Sequence, residues 1–142
     1  MTPVVEKETA ERLLQAARAA AAQAYVPHSK YPVGAALWTA SGEIVAGCNV
    51  ENASYGLSMC AERSAVFAAR SRGLIDPQSK PIRAIAIFAA NGAMPWPCGA
   101  CRQVLCEFAA DSTPVILQGA KRTHEMLLGD LFPHAFRLEP RP

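Results

Sequence analysis

The placement of three cysteines constrains this chain more than any other feature: Cys60 in Cys60-Ala61-Glu62-Arg63, and a pair in Cys98-Gly99-Ala100-Cys101. Each block stands just ahead of a stretch with helical composition. A fold that unites the blocks must therefore bring two helix N-termini to one point. A Cys-x-x-Cys pair at a helix opening places two sulfurs on one metal ion. Alone the pair is ambiguous, because thioredoxin-like redox pairs share its spacing. A closed structural zinc site needs a second pair, and none exists. Cys48 and Cys106, the remaining cysteines, read as small buried apolar residues. Three candidate thiolates with an adjacent Glu62 fit a catalytic zinc site, which keeps one position open for water.

Zn²⁺ with three thiolates carries net negative charge, which weakens it as a Lewis acid unless something offsets it. Two offsets are legible. Both ligand blocks open helices, so positive dipole ends face the sulfurs. Arg63 follows the first block and can donate to a thiolate.

The remaining properties narrow the class. At 142 residues the chain is read as one domain, 1–142, without repeat or linker. Its 51% hydrophobic content excludes a disordered chain. The net charge is +2 with scattered basic residues, which favours a small molecule over a polynucleotide. Met1 to Leu14 lacks the basic start and apolar block of a signal peptide. No stretch is long and apolar enough for a membrane span. The expectation is a cytoplasmic protein, where five cysteines point to metal binding or catalysis before disulfides.

The pattern predicts a helix over Glu6–Ala24, ended by Val26-Pro27. A hairpin follows over Tyr31–Ala40 and Glu43–Cys48, turning at Ser41-Gly42. A loop runs to Ser58, then a helix over Ala61–Arg72 stops at Gly73. A buried strand is predicted over Ile82–Phe88, a loop over Asn91–Pro97, and a helix over Gly99–Ala110. Strands at Pro114–Gln118 and Arg122–Met126 precede an irregular tail from Gly129. These elements make a small mixed α/β sheet with helices on its faces.

Cys60-Ala61-Glu62 with Pro97-Cys98-Gly99-Ala100-Cys101-Arg102-Gln103 resembles the zinc nucleoside deaminases, whose signature pairs a ligand-x-Glu block with Pro-Cys-x-x-Cys. Tyr31-Pro32-Val33-Gly34-Ala35-Ala36-Leu37 and Gly47-Cys48-Asn49-Val50-Glu51-Asn52-Ala53 are similar to the small homotetrameric cytidine deaminases. The resemblance spans about Arg12 to Phe136. It implies a three-layer α/β/α sandwich around a mixed five-stranded sheet, cytidine deaminase-like. It implies one Zn²⁺ per chain on Cys60, Cys98 and Cys101, with Arg63 supporting the sulfurs. It implies hydrolysis of cytidine and 2′-deoxycytidine to uridine and 2′-deoxyuridine plus ammonia, with Glu62 shuttling protons, a reaction suited to pyrimidine salvage. Asn49 and Glu51 then bind the sugar, Tyr31 packs on the base, the Ala61 N–H faces the base carbonyl, and Tyr55 contacts the sugar. Phe136 resembles a C-terminal aromatic that closes a neighbouring subunit's site, which implies a homotetramer with shared active sites. Relatives usually carry Ser or Thr where this chain has Trp96, near where the 4-amino group departs. That makes Trp96 the candidate for altered specificity, with N4-modified cytidines as the alternative substrates. A blasticidin-like nucleoside is a further alternative, but such relatives lack the Asn-x-Glu-Asn block found at Asn49–Asn52.

Overall fold

Along three strands the side chains alternate between two separate apolar clusters. Residues 33, 35, 37, 85, 87, 89, 115 and 117 join one; 36, 84, 86 and 116 join the other. Strand side chains alternate across a sheet, so this chain builds a sheet buried on both faces. A computed structural model describes residues 5–79 and 81–138.

The sheet has five strands: β1 (Val33–Thr39), β2 (Ile44–Cys48), β3 (Ile82–Ala89), β4 (Pro114–Gln118) and β5 (Thr123–Leu127). Their order is β2-β1-β3-β4-β5. Only β3 and β4 run parallel; the other neighbours are antiparallel, so the sheet is mixed. Helix α1 (Lys7–Ala21) covers one face through Leu13, Leu14 and Ala17. Helices α2 (Ala61–Ser71) and α3 (Gly99–Phe108) cover the other, where the larger cluster lies. The three layers are those the resemblance implies.

Two glycines set how closely the layers approach. A Cβ on Gly34 would lie 1.8 Å from the Ala17 carbonyl oxygen of α1. A Cβ on Gly47 would lie 2.5 Å from the Ala65 nitrogen of α2. Neither position has room for a side chain, so both helices press onto bare backbone.

The predicted elements are all present, with shifted ends. Helix α1 stops at Ala21 rather than Ala24, because the chain then turns to join the sheet margin. There the Tyr25 N–H donates to the Asn49 carbonyl and the Glu51 N–H to the Tyr25 carbonyl. Helix α3 stops at Phe108, since Ala109 is already extended. The segment read as an irregular tail begins with a short helix, α4 (Leu128–Leu131), which buries Leu128 and Leu131. Among the described residues no helix is long and apolar enough to cross a membrane.

Candidate active site

Cys60 and Cys98 are the extended residues that open α2 and α3. Cys101 lies in the first turn of α3 and is fully buried. The two helix starts meet as the sequence requires. The three sulfurs lie within 4.8 Å of one another, and Cys60 Sγ is 3.9 Å from Cys98 Sγ. Thiolates bound tetrahedrally to zinc at about 2.3 Å would stand about 3.8 Å apart, so the cluster fits the ion. Among the described residues no fourth His, Cys, Asp or Glu joins it, which matches an open site.

The local charges favour thiolate at Cys60. Its thiol is drawn down to about 5, first by a hydrogen bond from Cys101 and then by Arg63. Arg63 Nη2 donates to Cys60 Sγ at 3.4 Å, and this contact holds the guanidinium still more firmly charged. Cys101, as the proton donor, moves the opposite way.

Glu62 is 5% exposed. Burial pushes its carboxyl up to about 7. A carboxyl poised there both takes and gives protons near neutral pH. It lines a cleft of about 240 Å³ together with Cys60, Ala61, Cys98, Tyr31, Asn49 and Trp96. Burial, and then the Glu62 charge, raise the Tyr31 phenol.

The two residues expected at the sugar both reach the segment ahead of β1. Asn49 donates to the Tyr31 carbonyl and accepts from the Val33 N–H, each at 2.8 Å. Glu51 Oε1 accepts from the His28 and Ser29 N–H groups at 2.9 and 3.1 Å. The Ser29 side chain, with these backbone donors adding, holds the Glu51 carboxyl below its ordinary range. Asn49 lines the cleft, whereas Glu51 is not among its lining residues. Tyr55 is 62% exposed, set edge-on to His28, and Phe136 is 68% exposed; neither lines the cleft of its own chain. Trp96 does line it, half-exposed, with its ring 5.7 Å from that of His124.

Residues 7–117 match the model of the cytidine and deoxycytidylate deaminase zinc-binding region. The chain belongs to this family. A cytidine deaminase of Sporosarcina psychrophila is 44% identical to this zinc-binding deaminase over 91% of the chain and 92% of the relative. The crystal structure of a Burkholderia pseudomallei cytidine deaminase superposes with a TM-score of 0.82 at 43% identity, covering 89% of this chain and 98% of that one. A Bacillus cereus blasticidin-S deaminase is less similar, at 30% identity over 66% of this chain.

Sequence reasoning missed Arg102, which bonds the backbone beside Cys98, and Gln103 and Arg137, which hold the C-terminal segment to α3. Arg102 bonds the Pro97 and Leu131 carbonyls, Gln103 the Phe136 carbonyl, and Arg137 the Cys106 carbonyl. Backbone acceptors leave no residue-type signature, so only the position of Arg102 beside Cys101 could have drawn notice.

Proposed function

We propose that the chain, as a single 1–142 domain, hydrolyses cytidine and 2′-deoxycytidine to the corresponding uridines, releasing ammonia. The observation that carries this reading is a buried carboxyl, Glu62, lining the same cleft as Cys60 and Cys98 of the three-sulfur cluster. Cys60, Cys98 and Cys101 would hold one zinc, whose Lewis acidity makes water nucleophilic near neutral pH.

The chain's own groups supply the rest. Glu62 takes the proton of the attacking water and delivers it to N3 of the base; it then takes the proton of the new C4 hydroxyl and delivers it to the 4-amino nitrogen, so that ammonia leaves as the C4 carbonyl forms. A carboxyl drawn up to about 7 suits both directions of transfer. The Ala61 N–H, first in α2, has no intrahelical acceptor and can donate to the base carbonyl. Tyr31 walls the cleft against the ring. Asn49 and Glu51 order residues 28–33 and offer their remaining lone pairs to ribose hydroxyls.

The exposed apolar residues support a homotetramer. Tyr55, Leu57, Phe136 and Leu138 are each more than 60% exposed, apolar side chains that such an assembly would cover. In that assembly Phe136 and Tyr55 reach a neighbouring subunit's cleft. A cytoplasmic, small-molecule role in pyrimidine salvage fits the modest net charge of +2.

Trp96 favours a second substrate set. It stands two residues before Cys98 and lines the same cleft, so a substituent on the departing nitrogen would meet its ring. N4-substituted cytidines are the substrates this wall would discriminate.

The deciding experiment follows the ultraviolet change on cytidine deamination and measures zinc per chain. Turnover with about one zinc per chain is expected. Protein that holds its zinc and leaves cytidine untouched refutes the proposal.

A further inference from the structure

Cys98 is the exposed member of the triad. Packing therefore does little to hold it, and Pro97 ahead of it has no N–H to anchor the chain. Arg102 makes the bonds that restrain this corner. Its backbone N–H donates to the Cys98 carbonyl at 3.0 Å, closing the first turn of α3. Its side-chain Nε donates to the Pro97 carbonyl at 2.7 Å. One residue thus binds the carbonyls on both sides of the Cys98 nitrogen.

The second arm of the same guanidinium leaves the metal loop. Nη1 donates to the Leu131 carbonyl at the end of α4. That anchor is fixed, because Leu128 and Leu131 are buried in the larger cluster. Beside it, Gln103 Nε2 donates to the Phe136 carbonyl at 2.9 Å, and Arg137 Nη1 donates to the Cys106 carbonyl at 3.0 Å. The C-terminal segment is sewn along α3, and the first stitch also seizes the ligand loop.

We infer that Arg102 is a positioning residue for the metal centre, clamping the backbone of Cys98 to the C-terminal segment so that the seat of α4 sets the seat of a ligand. The inference rests on the reading of the three cysteines as a zinc site. Its chemistry needs a planar fork with donors pointing two ways. Lysine carries the charge but not the fork.

The full-length protein tests this through the metal itself. Wild type, Arg102→Lys and Arg102→Gln are loaded with zinc, and its transfer to a colorimetric chelator is timed. The cobalt-substituted forms supply visible spectra. Arg70→Lys is the control, because Arg70 also donates to a backbone carbonyl, that of Ile75 at 2.9 Å, away from the cysteines. Circular dichroism confirms equal folded fractions, and either Arg102 variant suffices should the other not fold. Outer-sphere partners of metal ligands are typically worth about 10–100-fold in metal affinity. Release faster by on the order of tenfold, with shifted cobalt bands, is expected for the Arg102 variants and not for Arg70→Lys. Release and spectra that match wild type, or that change equally in Arg70→Lys, overturn the clamp. A wild-type chain that binds neither metal overturns the zinc-site reading itself, and the clamp with it.

Discussion

The two helix starts that carry the sulfurs are supported in opposite ways. At α2 the neighbours of Cys60 act on charge. Arg63 donates to the sulfur itself, and Glu62 lies buried beside it. At α3 the neighbours of Cys98 act on shape. Gly99 and Ala100 are small and exposed, and Arg102 bonds backbone carbonyls rather than sulfur. One ion would thus be served by a helix that tunes reactivity and a helix that fixes geometry. Residues of equal charge, Arg63 and Arg102, differ in what they do because one meets a side chain and the other the main chain.

The largest expected effect tests the reactive side. Glu62→Gln should lower kcat by about 10³-fold or more, since a positioned acid–base group is worth about 10²–10⁴-fold. Its zinc content should stay at the wild-type level by metal analysis. A variant within tenfold of wild type would remove the chemical role from α2. Next, Arg63→Gln should cost on the order of tenfold in kcat/KM while its zinc release slows or quickens less than in Arg102→Lys. If the two arginine variants give the same balance of turnover and metal loss, the contrast between the helices collapses.

Stability against pH sharpens the comparison further. The folded Glu62 carboxyl sits near 7, above its ordinary value of 4.5. Between those values the native chain binds more protons than the unfolded one, so stability falls as pH rises through the window. In metal-stripped protein Glu62→Gln should therefore be more stable than wild type at pH 8, with the gap closing towards pH 4.5. Urea midpoints at pH 5 and pH 8 give the slope; an equal gap at both would mean that burial does not hold the carboxyl up. The smallest effect belongs to the α3 side of the cleft. Trp96→Ser should change the ratio of kcat/KM for N4-methylcytidine or N4-acylcytidine against cytidine several-fold, as aromatic contacts of about 0.5–1.5 kcal/mol allow. An unchanged ratio leaves Trp96 as packing for the loop.

The α2 side of this contrast was legible in the sequence and the α3 side was not. Cys60, Glu62 and Arg63 would act through their own side-chain chemistry, which residue type together with a helix start makes readable. The sheet was legible from local signals too: Tyr31–Ala40 and Glu43–Cys48 flank the turn residues Ser41-Gly42, and Ile82–Phe88 is a short apolar run rich in β-branched residues. Arg102 and Gln103 act on carbonyls some thirty residues away, and every residue offers a carbonyl. Glu51 is a comparable case, because its two partners are the amides of His28 and Ser29. The end of α1 was misplaced because Ala20, Ala21, Ala22 and Ala24 carry no stop signal; the long-range bonds of Tyr25 decide it. Helix α4 was missed because four residues around Gly129 have no helical signature, and its formation follows from burying Leu128 and Leu131.

The separation of Cys60 from Cys98 and Cys101 by β3 has a consequence for how the chain matures. On a ribosome, Cys60 emerges long before its partners, and until β3 is laid beside β1 nothing holds the two helix starts together. The Cys98–Cys101 pair can grip an ion with two sulfurs as soon as it is made. A third bond from Cys60 would then close only on a finished sheet, which would make full metal capture a record of correct assembly.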